Sequence, residues 1–317
     1  MTFLGLDQYI KQIESEILAY KLPQEPANLY DPLRYFFGLG GKRLRPVLTL
    51  MTANNFGAQG ANAIHAAMAI ELFHNFSLIH DDIMDEAPVR RGKQTVHKKW
   101  NEHIAILSGD VLFVKAYESL AKCDVKFLPE LLNLFNKTAT EVCEGQQMDM
   151  DFESRESVSE HEYIEMIRLK TSVLLGCSLQ FGGIVSALNK SKQEALYNFG
   201  QNMGIAFQIK DDLLDLYGDS AKVGKQIGGD VLSDKKTLLS IKAKEFGCDM
   251  KGLALISDHV QRVTHAQNIF KESGAKKFVE EAMQRYMNKA ILWLEELPKE
   301  YRNTYLDFAS FLIERAS

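Results

Sequence analysis

Residues 74–92 read HNFSLIHDDIMDEAPVRRG, and Asp81, Asp82 and Asp85 in this stretch stand at i, i+1 and i+4. On a helix, positions i and i+4 lie one above the other, so Asp81 and Asp85 share a face. Asp82 sits about 100° around it. Carboxylates this close repel one another unless a cation lies between them. Oxygen donors without His or Cys suit a hard cation, Mg²⁺ before Zn²⁺. Arg90 and Arg91 follow a loop opened by Pro88 and closed at Gly92. Acid beside base suits a metal-bridged phosphate, with metal on the carboxylates and arginines on the phosphate oxygens. Alone, the stretch also reads as a solvated acidic helix end with a basic turn.

The pattern repeats. Asp211, Asp212 and Asp215 in FQIKDDLLD keep the same spacing, amid Phe207, Ile209, Leu213, Leu214 and Leu216. Two matched clusters on apolar helices are poorly explained as surface charge. Two facing DDxxD helices would form a cage for several divalent ions.

The 317 residues are 46% hydrophobic and 25% charged, enough for a large core in an ordinary globular chain. A net charge of −5 gives no support to nucleic-acid binding. Cys123, Cys143, Cys177 and Cys248 form no CxxC pair and read as reduced thiols, consistent with a cytoplasmic protein. No stretch of 18 uncharged apolar residues is present, so no membrane span is expected. The N-terminus carries early charge and no signal-type apolar run.

No proline interrupts Pro129 to Pro298, and no sustained period-2 alternation occurs, so the chain reads as all-α, one domain over 1–317. Helices are expected from Leu6 past Ile17, over 29–37, from Pro46 to about Phe56, over 62–84, 103–122 and 129–147. Asp149, Asp151 and Glu153 read as a helix-end loop. Ser159 with Glu162 and Ser191 with Glu194 read as capping boxes. The run VLLGCSLQFGGIVSAL is rich in small residues that allow close helix packing, residues 218–229 read as a loop, and 235–317 as three or four amphipathic helices.

In GLGGKRLRP, Gly40 and Gly41 let backbone approach an anion, and Lys42, Arg43 and Arg45 supply three cations. A basic turn before a helix is also commonly just solvated. In order, the motifs are GGKRLRP, DDIMD with RRG, Lys170-Thr171, FQIKDDLLD and GK…GGD….K. This ordered set resembles the trans-isoprenyl diphosphate synthases of the polyprenyl synthetase family. The resemblance implies a bundle of long helices around a deep central cavity, a homodimer, and two to three Mg²⁺ ions bound with diphosphate. It implies condensation of isopentenyl diphosphate with an allylic diphosphate (dimethylallyl, geranyl or farnesyl) by ionisation, condensation and elimination. Asp81, Asp85 and Asp211 match the metal positions, and Asp82, Asp212 and Asp215 complete the two clusters. Lys170, Thr171, Gln208 and Lys225 match the catalytic positions that hold the allylic diphosphate or steady the cation, with Arg90 and Lys235 beside them. Gly41, Lys42, Arg45, His74 and Arg91 match the isopentenyl diphosphate site, although a histidine one face away from an Asp cluster is as often structural. Gln94 stands where relatives often carry proline, which implies a slightly altered loop.

Phe76 and Ser77 lie five and four residues before Asp81. The growing chain should run along this helix, so Phe76 is expected to form a floor that limits the product to farnesyl or geranylgeranyl diphosphate. The alternative orientation turns Phe76 to a neighbouring helix. A terpene cyclase would mix Asn, Ser and Glu into its second metal site, whereas this chain repeats DDxxD. A phosphohydrolase built on His80-Asp81 leaves the paired clusters without a role. A non-catalytic diphosphate-binding subunit typically lacks one cluster, and both are present. A longer-chain polyprenyl synthase keeps the same motifs.

Overall fold

The computed structural model describes residues 6–58, 60–218 and 227–315. Helices account for nearly all of its regular structure. The chain divides into two compact units, Met1–Asn136 with Cys177–Glu194, and Lys137–Gly176 with Ala195–Ser317.

In the first unit, α1 (Leu6–Leu18) buries Leu6, Ile13 and Ile17, the stripe its spacing predicts. α2 (Ala27–Phe37) leads through the glycine-rich turn into α3 (Leu44–Asn55), where Pro46 occupies the first turn. α4 (Asn62–Met84) carries the first aspartate cluster. A two-residue ladder, β1 (Val89–Arg90) with β2 (Lys93–Gln94), closes the RRG turn, a strand pair not expected from the sequence. Arg91 and Gly92 both have positive φ, 52° and 73°, the geometry of a tight turn whose twist matches its strands. Gln94, the residue expected to alter this loop, accepts the Tyr35 hydroxyl at its carbonyl, 2.7 Å.

After α5 (Val96–Lys99), α6 (Glu102–Leu120) is capped by Asn101 and packs along α4. Gly109 on α6 makes room for the His80 ring, whose Nε2 lies 3.1 Å from the Ile106 carbonyl. His80 is thus spent on helix packing, which removes the residue on which the phosphohydrolase reading rested. Phe73, Phe113, Phe135 and Phe181 form an aromatic core. Gly182 lies against Thr52 and the Thr49 carbonyl, the close approach its small-residue run implied.

α7 (Leu128–Ser154) runs further than expected, because nothing in 148–154 breaks a helix. Asp149, Asp151 and Glu153 are therefore helical residues, not a loop. Ser159 and Glu162 form the expected capping box at the start of α8 (Glu160–Ile167). A π-turn (Arg168–Ser172) follows, then α9 (Val173–Val185). α10 (Lys190–Tyr217) is capped by Asn189, whose side chain accepts from the Lys192 N–H. Ser191 lies inside the helix, so Asn189 stands at the N-cap in place of Ser191, the residue expected there. Asn189 precedes it and already satisfies an orphan amide.

In the second unit, residues 227–315 fold as α11 (Gly229–Leu232), α12 (Leu238–Glu245), α13 (Met250–Ala254), α14 (His259–Glu272), α15 (Ala275–Trp293) and α16 (Lys299–Arg315). Gly247 and Gly274, both at φ 87°, interrupt what the pattern alone reads as fewer, longer helices. Tyr163, Ile209, Leu238, Phe270 and Val279 share one buried core. All four cysteines are free thiols. Among the described residues no helix is long and apolar enough to cross a membrane.

Candidate active site

In the first unit, Gly40 and Gly41 adopt φ of 73° and 150°, and a Cβ on Gly41 would fall 2.8 Å from the Arg91 guanidinium. Glycine thus lets Arg91 lie on the backbone of the turn. Arg43 departs from the expected anion-gripping role. It is 4% exposed, with Nη1 2.5 Å from Glu71 and Nε 2.7 Å from Glu14. Its charge is committed inside the protein. Lys42 is exposed on the same turn.

Arg45 Nη1 lies 3.2 Å from His74 Nε2. Burial, reinforced by the charges of Arg45, Arg91, Arg90 and Arg43, holds His74 well below its ordinary pKa. The ring is neutral, so Nε2 accepts from Arg45 and orients its guanidinium. Desolvation pushes Arg45 down to about 10, and its Nε has no hydrogen-bond partner. Arg91 is also lowered, by desolvation and then by Arg43. Cations crowded at such cost fit a site completed by an anion.

The first aspartate cluster divides by role. Arg90 Nε donates to both Asp82 oxygens at 2.8 Å, and Asp82 is 2% exposed. Asp81 lies farther from Arg90, at 3.5 Å, with its side chain 22% exposed. Asp82 therefore braces Arg90, while Asp81 and the exposed Asp85 remain the accessible carboxylates. Phe76 stacks on Phe113 of α6 at 4.9 Å and 11°, so its ring faces a neighbouring helix as well as its own. The Ser77 hydroxyl donates to the His74 carbonyl, 2.9 Å.

In the second unit, the π-turn presents Lys170 and Thr171. Gly145 on α7 makes this possible, because a Cβ there would fall on the Lys170 backbone N and within 2.7 Å of Lys170 Cα. One helical turn on, Asp149 accepts from Lys170 Nζ at 2.6 Å. Gly145→Ala is expected to push the π-turn off α7 and lower kcat about 10²-fold, the size of effect that misplacement by about 1 Å produces. Steady-state kinetics on the folded variant checks this.

Thr171 Oγ1 donates to Gln208 Oε1 (3.4 Å), and Gln208 Nε2 donates to Asp212 Oδ1 (3.2 Å). The Tyr163 hydroxyl donates to Asp212 Oδ2. Burial, then the nearby Asp230 charge, pushes Asp212 up to about 7. Both Asp212 oxygens thus accept hydrogen bonds inside the protein, as both Asp82 oxygens do from Arg90. Asp215 Oδ2 accepts from the Asp230 N–H at 3.0 Å, and Asp211 is half-buried beside it in sequence. Lys235 is exposed, and its N–H is bonded to the Asp230 carbonyl. Lys225 lies outside the described residues.

Among the described residues no set of three or more His, Cys, Asp or Glu side chains forms a ready-made metal cage. Carboxylates such as Asp81 and Asp85 still fit Mg²⁺, which is usually held by one or two carboxylates, waters and substrate phosphates. Asp149 was named only as part of a helix-end loop, and Gly145, Tyr163 and Phe113 were not picked out from the sequence. The i, i+4 spacing of Gly145 and Asp149 was a signal for the first two; single aromatics carry none.

Residues 26–273 match the sequence model of the polyprenyl synthetase family. The chain is 41% identical over 308 residues to a geranylgeranyl pyrophosphate synthase of Geoglobus acetivorans, covering 96% of each chain. It is 40% identical over 274 residues to a geranylgeranyl diphosphate synthase of Methanosarcina mazei, covering 86% of this chain and 82% of that one. A solved structure of a geranylgeranyl pyrophosphate synthase is similar over 100% of both chains, with a TM-score of 0.91 and 42% identity.

Proposed function

The chain belongs to the polyprenyl synthetase family and is a short-chain trans-prenyltransferase, and from that premise we propose that it condenses isopentenyl diphosphate with an allylic diphosphate to give geranylgeranyl or farnesyl diphosphate. The observation that carries the reading is the grouping of Arg45, Arg90 and Arg91 around neutral His74, on the same helix as Asp81. The names of the relatives support geranylgeranyl diphosphate as the product.

In the proposed reaction the allylic C–O bond breaks, and the electron pair leaves with diphosphate. The alkene of isopentenyl diphosphate attacks the allylic cation, and a proton is lost to restore a double bond. Members of the family work with Mg²⁺, which when bound neutralises charge developing on the leaving diphosphate. Asp81, Asp85 and Asp211 are the residues we assign to it, with two to three ions bound together with diphosphate. Arg45 and Arg91, with Lys42 and the open backbone at Gly41, hold isopentenyl diphosphate; His74 orients Arg45. Lys170 and Lys235, with Lys225, are assigned to the allylic diphosphate, and Arg90, which donates to Asp82, is assigned to the same ligand. Asp215 fixes the turn at Asp230. Thr171 and Gln208 present oxygen acceptors to the developing cation. The released diphosphate is the natural proton acceptor. The whole chain acts as one catalytic domain, and the expected homodimer in the cytoplasm is checked by light scattering and by fractionation.

Incubation with Mg²⁺, labelled isopentenyl diphosphate and each allylic starter tests the proposal, with products sized after dephosphorylation. A C20 or C15 alcohol is expected. Chains of C30 or more would point to a longer-chain synthase. Mg²⁺-dependent binding of diphosphate without condensation would point to a non-catalytic subunit.

Phe76 with its stacked partner Phe113 is proposed as the floor for the growing chain. Phe76→Ala is expected to lengthen the main product by one or two isoprene units. A product of unchanged length would assign Phe76 to helix packing alone.

A further inference from the structure

Tyr163 lies inside α8, five residues before the π-turn, and is 2% exposed. A tyrosine in such a position needs a partner for its hydroxyl. The partner here is a carboxylate, Asp212 on α10, which is itself buried. The bond is one end of a directed series. Tyr163 donates to Asp212 Oδ2, Gln208 donates to Asp212 Oδ1, and Thr171 donates to Gln208 Oε1.

Each bond fixes the direction of the next. With Oδ2 taken by Tyr163, Oδ1 is the oxygen left for the Gln208 NH₂ group. That turns the Gln208 carbonyl to Thr171 and takes the Thr171 proton, leaving its oxygen lone pairs available as acceptors. We propose that Tyr163 is a positioning residue for the condensation, setting the orientation of Gln208 and Thr171 through Asp212. A merely structural tyrosine would tie α8 to α10 and nothing more. A positioning tyrosine acts on one substrate, because Thr171 and Gln208 belong to the allylic side.

The inference rests on the proposed assignment of Thr171 and Gln208 to the allylic substrate. The test is a double-mutant cycle of Tyr163→Phe and Thr171→Val, with each diphosphate varied in turn. Tyr163→Phe removes one oxygen and keeps the ring. It is expected to lower kcat/KM for the allylic diphosphate about tenfold, the scale of one lost hydrogen bond to a charged group. The KM for isopentenyl diphosphate should stay at its wild-type value. The double variant should lose little more than the worse single variant, because both break one series.

Additive losses, equal effects on both substrates, or no allylic effect of Tyr163→Phe would overturn the positioning role while leaving the assignment of Thr171 in place. No allylic effect of Thr171→Val would overturn that assignment and the inference with it. Should Tyr163→Phe fail to fold, Asp212→Asn keeps the volume but forces one of its two donors to turn. The same allylic loss at an unchanged half-saturating Mg²⁺ concentration supports the series. A raised Mg²⁺ requirement overturns it, because Asp212 would then hold metal.

Discussion

Asp81→Asn is expected to lower kcat about 10²- to 10³-fold, the cost of removing one preorganised charge-stabilising group, and to raise the Mg²⁺ concentration needed for half-maximal rate. Asparagine keeps the volume and one acceptor oxygen but loses the negative charge that a hard cation requires. Fold should be little affected, because the Asp81 side chain is 22% exposed and Arg90 stands 3.5 Å from it. Asp82→Asn provides the contrast. Asp82 is buried and receives Arg90 on both oxygens. Its loss should release Arg90 and lower stability, with a smaller change in Mg²⁺ dependence. Measuring rate against Mg²⁺ concentration for the two variants, with thermal melts of both, separates the roles. Equal Mg²⁺ shifts would show that the two carboxylates share the ions.

The existence of the aspartate-rich helices was legible because it rests on local spacing. Asp81 and Asp85 repeat as Asp211 and Asp215, and apolar neighbours make solvation an inadequate account. The division of labour within each cluster was not legible. Asp82 and Asp212 are distinguished from their neighbours by Arg90 and by Tyr163, which reach them from other elements. Arg43 shows the same limit: beside Lys42 and Arg45 it reads as one more cation for a ligand, and only folding brings Glu14 and Glu71 onto it. Helix ends were read well where one residue satisfies an orphan amide, as at Ser159, and misread at Ser191, where Asn189 reaches an amide first. The π-turn has no composition signal. It depends on the missing Cβ of Gly145, on a helix adjacent only in the folded protein.

Arg43→Met is expected to lower the free energy of unfolding by about 3–5 kcal/mol, the usual consequence of leaving a buried charge without its partner. The thermal midpoint should fall by on the order of 10 °C. Glu71 lies 1% exposed on α4, and one of its oxygens already lacks a hydrogen bond. Burial raises its carboxyl above the ordinary value even with Arg43 in place. A group whose folded pKa is raised binds its proton more tightly in the folded state, so its stabilising contribution is complete below the ordinary glutamate range and is lost as pH rises. Without Arg43 this dependence should steepen, and the variant should be most stable below about pH 4, near the unfolded glutamate value. Adding Glu71→Leu removes the stranded carboxylate and should recover most of the loss, because buried pairs replaced by apolar residues of similar volume are often neutral in stability. Thermal melts across pH for the single and double variants test this. A single variant as stable as wild type, or a double variant no better than the single, would mean that water reaches Glu71 in the folded protein. The double variant should keep its KM for isopentenyl diphosphate, because Arg43 serves the fold, whereas Arg45 and Arg91 are the residues proposed to hold the ligand.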